Sequence, residues 1–227
     1  MGERGVKPKG KVKLKWSANF AYAIGLIVTD GCLYNDGRHI NLVSKDTDQL
    51  ENFLKCLKIT SKISRHDSGS DKVNWRVQIG DVNFYRFLES VGITRAKSKT
   101  LSIIDVPGEY FFDFLRGSFD GDGCFYSYWD KRWKSSHMFY IEFVSASEKH
   151  VVWLREQIHA RLGASGHITG GRKKGSIFQL KYAKKEALEI IKKMYYNPKV
   201  ICLSRKKLKI QKALKVENKQ QKIYLTK

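Results

Sequence analysis

Long apolar runs, paired cysteines and a secretory leader are all missing from this sequence. No stretch approaches the ~18 consecutive apolar residues that a membrane-spanning helix needs. Residues 1–15 are rich in Lys and Gly without an apolar core, so they are not a secretory signal. The four cysteines (Cys32, Cys56, Cys124 and Cys202) form no CxxC pair, and no histidines lie near them at zinc-finger spacing. This pattern argues against zinc and predicts buried, reduced thiols in a reducing intracellular compartment.

Acidic residues are also scarce. The chain of 227 residues carries 43 Lys and Arg against 22 Asp and Glu, a formal net charge of +21. The corresponding pI of about 9.8 predicts a polyanionic partner, with nucleic acid favoured over an acidic membrane surface. Apolar and aromatic contents of 42% and 12% indicate a folded protein, long enough for one large or two small domains.

Against this background one acidic pattern occurs twice, in residues 23–31 (AIGLIVTDG) and 115–123 (LRGSFDGDG). Each copy starts in an apolar, helix-like stretch and ends in Asp-Gly, with the acids at Asp30 and Asp122. Each is then followed by Cys, an apolar residue and Tyr. A single Asp-Gly pair is typical of a turn, but a matched pair in a chain poor in acids favours a shared function.

The segments after each acidic element repeat the same order of predicted elements. Alternating strands at 39–43 and 138–144 precede amphipathic helices at 50–57 and 151–162. A second hairpin follows in each half, 62–66 with 73–79 and 167–169 with 176–182, and helices at 82–91 and 185–195 close the halves. The sequence therefore predicts an α+β fold of two αββαββα lobes related by a pseudo-two-fold axis.

The predicted domain boundaries follow from this repeat. We expect a basic arm at 1–15, a first lobe at 16–104, a linker at 105–109, a second lobe at 110–215 and a loosely ordered polar tail at 216–227. A membrane-surface helix in the Lys-rich stretch 184–222 is disfavoured, because its apolar positions fit a helix that backs the second sheet.

Small residues predict that the two acids meet. Ala21 and Gly25 line one stripe of the first helix, and Gly117 and Gly121 do so in the second, which lets two helix backbones approach closely. The two Asp residues would then crowd at helix carboxyl ends, where the helix dipole disfavours an anion. Mg²⁺, which prefers oxygen ligands, would relieve that repulsion. A calcium loop at 120–131 is excluded, because Cys124 and Lys131 occupy loop positions that require acids.

Together, the two elements and the repeat order resemble the LAGLIDADG homing endonucleases, specifically their single-chain branch, over residues 17–214. The resemblance implies motif helices at the lobe interface and two antiparallel sheets forming a saddle over DNA. It implies a site-specific, staggered double-strand cut across the minor groove of a long asymmetric target. It further implies Mg²⁺ held by Asp30 and Asp122, helped by the backbone carbonyls of Thr29 and Gly121.

The resemblance also implies basic residues around the scissile phosphates. The candidates are Lys45, whose counterpart in the second copy is Ala146, together with Lys97 and Lys206. The two motif copies differ where Val28 stands against Asp120, and we expect Asp120 to be a helix-end or interface residue.

Alternation along the strands gives candidates for the DNA-contacting face. They are Arg38, Asn41, Arg65, Asn74, Arg76 and Gln78 in the first lobe, and Tyr128, Lys131, Arg132, Lys134, Tyr140, Glu142, Arg172, Lys173, Gln179 and Lys181 in the second. Half or more of these are expected to contact only phosphate or water.

The expected cofactor is Mg²⁺, with Mn²⁺ able to substitute and Ca²⁺ binding without supporting cleavage. The expected partner is double-stranded DNA, bound by a monomer without a protein partner or a membrane. The expected location is a bacterial or archaeal cytoplasm or the organelle that encodes the protein, and the protein is not secreted. Two alternatives remain open on the same fold: an RNA-splicing maturase and a DNA-binding regulator that does not cut.

Overall fold

The computed structural model describes residues 10–67, 73–133, 136–170 and 177–225, with side chains as far as residue 218. Lys134, Arg172 and Lys173, three of the candidate DNA contacts, lie outside the described residues. Within the described part the chain forms seven α-helices and eight strands in two four-stranded antiparallel sheets.

The first lobe has the predicted order of elements. Its bounds are α1 (Ala18–Asp30), β1 (Gly31–Leu33), β2 (His39–Ser44), α2 (Thr47–Leu57), β3 (Ile63–His66), β4 (Asn74–Gly80) and α3 (Val82–Ser90). The strands are ordered β1-β2-β4-β3 in the sheet. A short 3-10 turn, Lys97–Lys99, follows α3 and leads towards the second lobe.

The second lobe repeats that order. Its bounds are α4 (Phe111–Asp122), β5 (Cys124–Trp129), β6 (His137–Ser145), α5 (Glu148–Leu162), β7 (His167–Gly170), β8 (Phe178–Ala183) and α6 (Lys184–Met194). The sheet order β5-β6-β8-β7 matches the first lobe strand for strand. The predicted α+β fold of duplicated lobes is therefore confirmed.

The amphipathic patterns explain why these elements pack as they do. Ile40 and Leu42 on β2 pair with Ile79 and Val77 on β4, and all four side chains are buried against the helices. The second sheet does the same with Ile141 and its neighbours. By contrast α1 is apolar on nearly all sides, and residues 20–28 are all buried, because it lies between its own lobe and α4.

Local hydrogen bonds fix the helix starts. Ser17 caps α1 by accepting from the Phe20 backbone N–H at 3.2 Å. Asp81 caps α3 through Phe84 and also accepts from the backbone N–H groups of Lys11 and Val12. The end of the predicted basic arm is thus tied to the first lobe.

A further helix, α7 (Ser204–Leu225), extends beyond the predicted second lobe. Its helical backbone continues through residues 217–225, so the prediction of a loosely ordered tail was wrong. Ile210, Ala213 and Glu217 are buried where α7 packs against the second sheet, and Lys184 forms an ion pair with Glu217. This tertiary packing orders a segment whose polar composition alone predicted disorder.

All four cysteines are free thiols, but only Cys56 and Cys202 are buried. Cys32 and Cys124 are exposed, because each stands on the outer face of its strand directly after a motif helix. The expectation of four buried thiols was therefore wrong for these two. In the described part of the chain, no helix has the length and apolarity required to cross a bilayer.

Candidate active site at the lobe interface

Helices α1 and α4 cross in direct backbone contact. A Cβ atom on Gly25 would lie 2.2 Å from the Phe114 carbonyl oxygen, and one on Gly117 would lie 2.1 Å from the Tyr22 carbonyl oxygen. No side chain fits at either position, so the small residues are what allow the two helices to touch. Ala21 is fully buried in α1, and a Cβ on Gly121 would lie 1.9 Å from the Thr29 hydroxyl. The four predicted interface residues thus lie where the sequence placed them.

The crossing brings the two motif acids together at the helix ends. Asp30 is the last residue of α1 and Asp122 the last residue of α4. Burial raises the pKa of Asp30 to about 6, and the negative charge of Asp122 raises it further. Asp122 is more open to solvent, but the surrounding groups still desolvate its carboxyl and raise its pKa. The predicted crowding of the two acids is therefore present.

Two buried lysines stand beside the acids. Lys97 donates to the Gly31 carbonyl, directly after Asp30. Lys206 donates to the carbonyls of Gly121 at 2.9 Å and Gly123 at 2.7 Å, on either side of Asp122. Burial lowers the pKa of both lysines, that of Lys206 to about 8, while both of their charges lower the pKa values of the two acids.

Lys45, the third predicted basic residue, is not part of this cluster. It is exposed at the end of β2, with no hydrogen bond or ion pair among the described residues. Gln49, one turn into α2, occupies the position next to the acid. Its amide nitrogen donates to Asp30 Oδ2 at 2.6 Å, and its amide oxygen accepts from the Ser44 hydroxyl at 3.2 Å.

The sequence analysis missed Gln49. A usable indication was its spacing: Gln49, Phe53 and Cys56 fall on one buried stripe of α2, and a polar side chain on such a stripe needs a partner. The equivalent residue after the α5 cap is His150, which donates from Nδ1 to the Ser102 carbonyl at 2.8 Å. No described side chain donates to Asp122, so the surroundings of the two acids differ.

Asp120 is a structural residue at the interface, as predicted. It is fully buried and accepts from the Tyr22 hydroxyl at 2.8 Å and from the Leu203 backbone N–H at 2.6 Å. Burial raises the pKa of Asp120 to about 6, and these two hydrogen bonds oppose the rise. It therefore joins α1, α4 and the start of α7, while Val28 fills the matching place in α1 with an apolar side chain.

The donor set at the helix ends suits a hard divalent cation. Two carboxylates repel each other, and a metal would remove the repulsion that raises the pKa of Asp30. The Thr29 hydroxyl is directed back to the Gly25 and Leu26 carbonyls, and the Gly121 carbonyl already accepts from Lys206. A carbonyl oxygen has a second lone pair, so Gly121 retains capacity for a ligand. Among the described residues, no group of three or more His, Cys, Asp or Glu side chains could hold a metal.

Open space adjoins the acids. A cavity of about 280 Å³ is lined by residues of both lobes, among them Thr29, Lys97, Asp122, Ser145 and Ile177. It reaches one of the two acids and one of the two lysines, so a ligand of phosphate size could enter beside them.

The outer face of the first sheet carries most of the predicted polar residues. The register pairs Asn41 with Gln78, and Arg76 and Asn74 share their face. Asn41 is nearly covered and donates to the Tyr34 hydroxyl at 2.6 Å. Arg38 is exposed in the turn before β2.

Arg65 was assigned to the wrong face. The register pairs it with Trp75, whose ring packs on the core, so Ser64 and His66 are the β3 residues that share a face with Arg76. The Arg65 side chain is exposed at the sheet edge and lies 3.4 Å from Asp67. A shift of one residue moves a strand side chain to the opposite face, and β3 has few alternating apolar residues to fix its parity.

The outer face of the second sheet is aromatic. The rings of Tyr126 and Tyr128 stack on opposite sides of Tyr140, with centroids at 5.3 and 6.2 Å. Lys131 and Arg132 are exposed in the following turn, where Arg132 pairs with Asp130. Gln179 faces the Thr169 hydroxyl at 3.5 Å.

Glu142 is not an exposed contact residue, contrary to prediction. It lies on the outer face but is only 6% exposed, because Lys181 pairs with it at 3.0 Å and Tyr126 bonds to it. The predicted contacts Glu142 and Lys181 therefore neutralise each other in this structure.

Comparisons with known proteins agree with this architecture. Residues 17–92, the first lobe, match the family model described as LAGLIDADG-like domain. No curated protein sequence matches the chain. The meganuclease I-SmaMI bound to uncleaveable DNA is 13% identical with a TM-score of 0.59, over 88% of this chain and 92% of that one.

Two further solved structures have the same fold. The homing endonuclease I-DmoI in complex with DNA and Mn is 13% identical with a TM-score of 0.51, over 79% of this chain and 97% of that one. The N-terminal LAGLIDADG domain of DUF199/WhiA is 16% identical with a TM-score of 0.52, over 82% and 85%. The resemblance noted from the sequence is thus confirmed, and at these identities the structural matches establish the fold alone.

Proposed function

We propose that this protein is a site-specific double-strand DNA endonuclease of the LAGLIDADG type, which depends on Mg²⁺ and acts in homing of a mobile intron. The observation that carries the proposal is the meeting of Asp30 and Asp122 at the end of the α1–α4 crossing, with Lys97 and Lys206 buried beside them. Structural proteins gain nothing from placing two acids where each disfavours ionisation of the other.

Each residue of the cluster has a separate role in this proposal. Asp30 and Asp122 hold the metal, and Gln49 orients the Asp30 carboxylate through its 2.6 Å hydrogen bond. A divalent metal bound there supplies activation of the attacking water and stabilisation of the leaving oxygen. Lys206 has a pKa of about 8, so it is mostly charged at neutral pH and offsets negative charge on the phosphate beside Asp122.

The partner we propose is double-stranded DNA lying across the outer faces of both sheets. The net charge of +21 and the polar and aromatic outer faces support it. I-SmaMI and I-DmoI, which share the fold, were solved with DNA. Since one chain supplies both acids, we propose that a monomer makes the staggered cut, and sedimentation with duplex DNA would measure one chain per duplex.

Mg²⁺ is the proposed metal. I-DmoI was solved with DNA and Mn, which supports Mn²⁺ as a substitute. We propose that Ca²⁺ allows DNA binding without cleavage.

The decisive experiment incubates the protein with a library of long randomised duplexes and Mg²⁺, and sequences the ends produced. The variants are Asp30→Asn and Asp122→Asn, with Asp105→Asn, an exposed linker acid, as the matched control. We expect staggered cuts from the parent and the control, and binding without cutting from the two site variants.

Binding without any cutting by the parent would refute the nuclease proposal. It would favour a non-cleaving DNA-binding protein on the fold that DUF199/WhiA also has. Stimulated excision of an RNA intron that persists in both Asn variants would instead favour a maturase.

A further inference from the structure

The second lobe has a basic groove that the first lobe lacks. It lies between edge strand β5 and helix α7, has a volume of about 440 Å³, and is lined by Gly123, Cys124, Arg205, Leu208, Lys209 and Lys212 together with Lys206 and Phe125. Four of the lining residues are cations and none is a carboxylate. A concave surface of one charge sign suits an anionic ligand.

The groove starts at the candidate active site. Lys206 forms its inner end and donates to the Gly121 and Gly123 carbonyls that flank Asp122. Cys124 lies on the outer face of the sheet, two residues after that acid, and is exposed. A strand of nucleic acid whose phosphate sits at Asp122 could therefore continue into the groove without crossing other protein.

The cations of α7 are arranged as a row. The helix buries Lys206, Ile210 and Ala213 against the lobe, which leaves Arg205, Lys209 and Lys212 on successive turns of the opposite side. From Arg205 to Lys212 the helix rises about 10 Å, the length occupied by about three successive phosphates of one DNA strand.

The members of this row differ in availability. Arg205 is held across the lobes by Asp46, with nitrogen–oxygen distances of 2.8 to 3.0 Å. That pair anchors the start of α7 to the first lobe. In the described part of the chain no carboxylate pairs with Lys209 or Lys212, so both are available to an incoming ligand.

The first lobe offers no equivalent. After the 3-10 turn Lys97–Lys99, the chain continues to α4 with only one further 3-10 turn and no helix beside β1. The pseudo-symmetry of the lobes therefore breaks at this groove, and any ligand it holds contacts one half of the molecule only.

From this asymmetry we infer that the β5–α7 groove binds the phosphate backbone of one DNA strand as it leaves the Asp122 side of the site. Lys209 and Lys212 supply the contacts, and Arg205 positions the helix that carries them. This inference rests on the proposed function, since DNA must lie at the paired acids for a strand to enter the groove.

The first test is the salt dependence of binding to a fixed 30-base-pair duplex without metal, measured by fluorescence anisotropy in KCl. The variants are Lys209→Gln with Lys212→Gln, and the matched control is Lys185→Gln with Lys193→Gln, two exposed lysines of α6 behind the second sheet. Each lost phosphate contact lowers the log–log salt slope by about 0.9, so the groove variant should lose about 1.8.

The control should keep the parent slope, and Lys209→Arg with Lys212→Arg should restore it in the groove. Equal slopes for the groove variant and the parent would overturn the inference, as would an equal loss in the α6 control. Circular dichroism melting would confirm that all these variants fold.

The second test assigns the strand. Runs of three methylphosphonates, which remove the phosphate charge, are placed on one strand or the other of a duplex that the parent selects in Ca²⁺. The inference expects one sensitive run, on one strand only, whose effect disappears in the Lys209→Gln, Lys212→Gln variant. Equal sensitivity of both strands would overturn it. A parent that selects and cuts no duplex would refute the proposed function, while the salt slope would still decide the groove.

Discussion

At the scale of single residues, the candidate site sets two acids and two buried lysines within one small volume. The acids raise each other's cost of ionisation, and Lys97 and Lys206 oppose that effect. Gln49 adds a directed hydrogen bond to Asp30 only. The two acids are therefore alike in sequence but different in surroundings.

The charge of Asp122 should be measurable at Asp30. Burial is the larger cause of the raised pKa of Asp30, about 6, and the Asp122 charge adds to it. In metal-free Asp122→Asn the pKa of Asp30 should fall, because the remaining carboxylate no longer faces a second anion. Carbon-13 NMR titration of the Asp30 carboxyl measures this, with the exposed Asp105→Asn as control. An unchanged pKa would mean that the two acids do not interact.

Asp30 should also make the metal-free protein less stable as the pH rises. Folding raises its pKa from 3.8 to about 6, so the folded chain binds this proton more tightly than the unfolded chain. The group's contribution is present below about pH 4 and lost as the pH rises to 6.

Asp30→Asn should therefore be more stable than the parent at pH 7, by about 2 kcal/mol, and equal to it near pH 4. Urea denaturation in EDTA at the two pH values measures the difference. A variant less stable than the parent at pH 7 would contradict the assigned cause.

At the scale of elements, the α1–α4 crossing determines the site, because each helix carries one acid at its end. Glycine is required at the contact for space rather than for conformation: the nearest atoms to an added Cβ are backbone atoms of the opposite helix. Backbone cannot move aside as a flexible side chain can, so the whole helix would have to shift.

Gly25→Ala should consequently separate the helices. Alanine favours a helix over glycine by about 1 kcal/mol, but an atom 2.2 Å from the Phe114 carbonyl oxygen costs more than that. We expect a net loss of stability of about 2 kcal/mol or more, together with loss of cleavage.

The matched control is Gly108→Ala, where the added Cβ would lie 3.4 Å from an Arg161 nitrogen in ordinary contact. Thermal melting measures both variants. Equal melting temperatures would show that the crossing is looser than the structure indicates.

At the scale of the whole molecule, the charges of the protein and of DNA must be considered together. Lys97 and Lys206 already offset much of the charge of the two acids, so a metal gains little from the protein alone. A bound duplex adds phosphate oxygens and their negative charge at the same place. Metal and DNA should therefore bind cooperatively.

Mn²⁺ binding, measured by electron paramagnetic resonance, should be several-fold tighter with a duplex present than without one. It should weaken as the pH falls through about 6, because protons compete with the metal for Asp30. Asp30→Asn should remove both effects. Mn²⁺ affinity that is independent of DNA would contradict this charge balance.

The sequence by itself determined the duplicated lobe, the two acids and the helix contact. These features depend on short-range patterns: the apolar periodicity of each element and the small residues at spacings of four, such as Gly117 and Gly121. Lys97 and Lys206 were also identified, since they follow the closing helices of the two lobes at matching places.

Only the tertiary structure decided which partner each polar side chain has. Gln49 contacts Asp30, Glu142 is covered by Lys181, and Arg65 lies on the core face, because cross-strand register and helix docking place residues that are distant in the chain. The same holds for α7, whose polar composition predicted a loose end and whose packing along β5 forms the groove. Local patterns fix the elements and the residues that can touch backbone, whereas long-range packing fixes the neighbours of each charge.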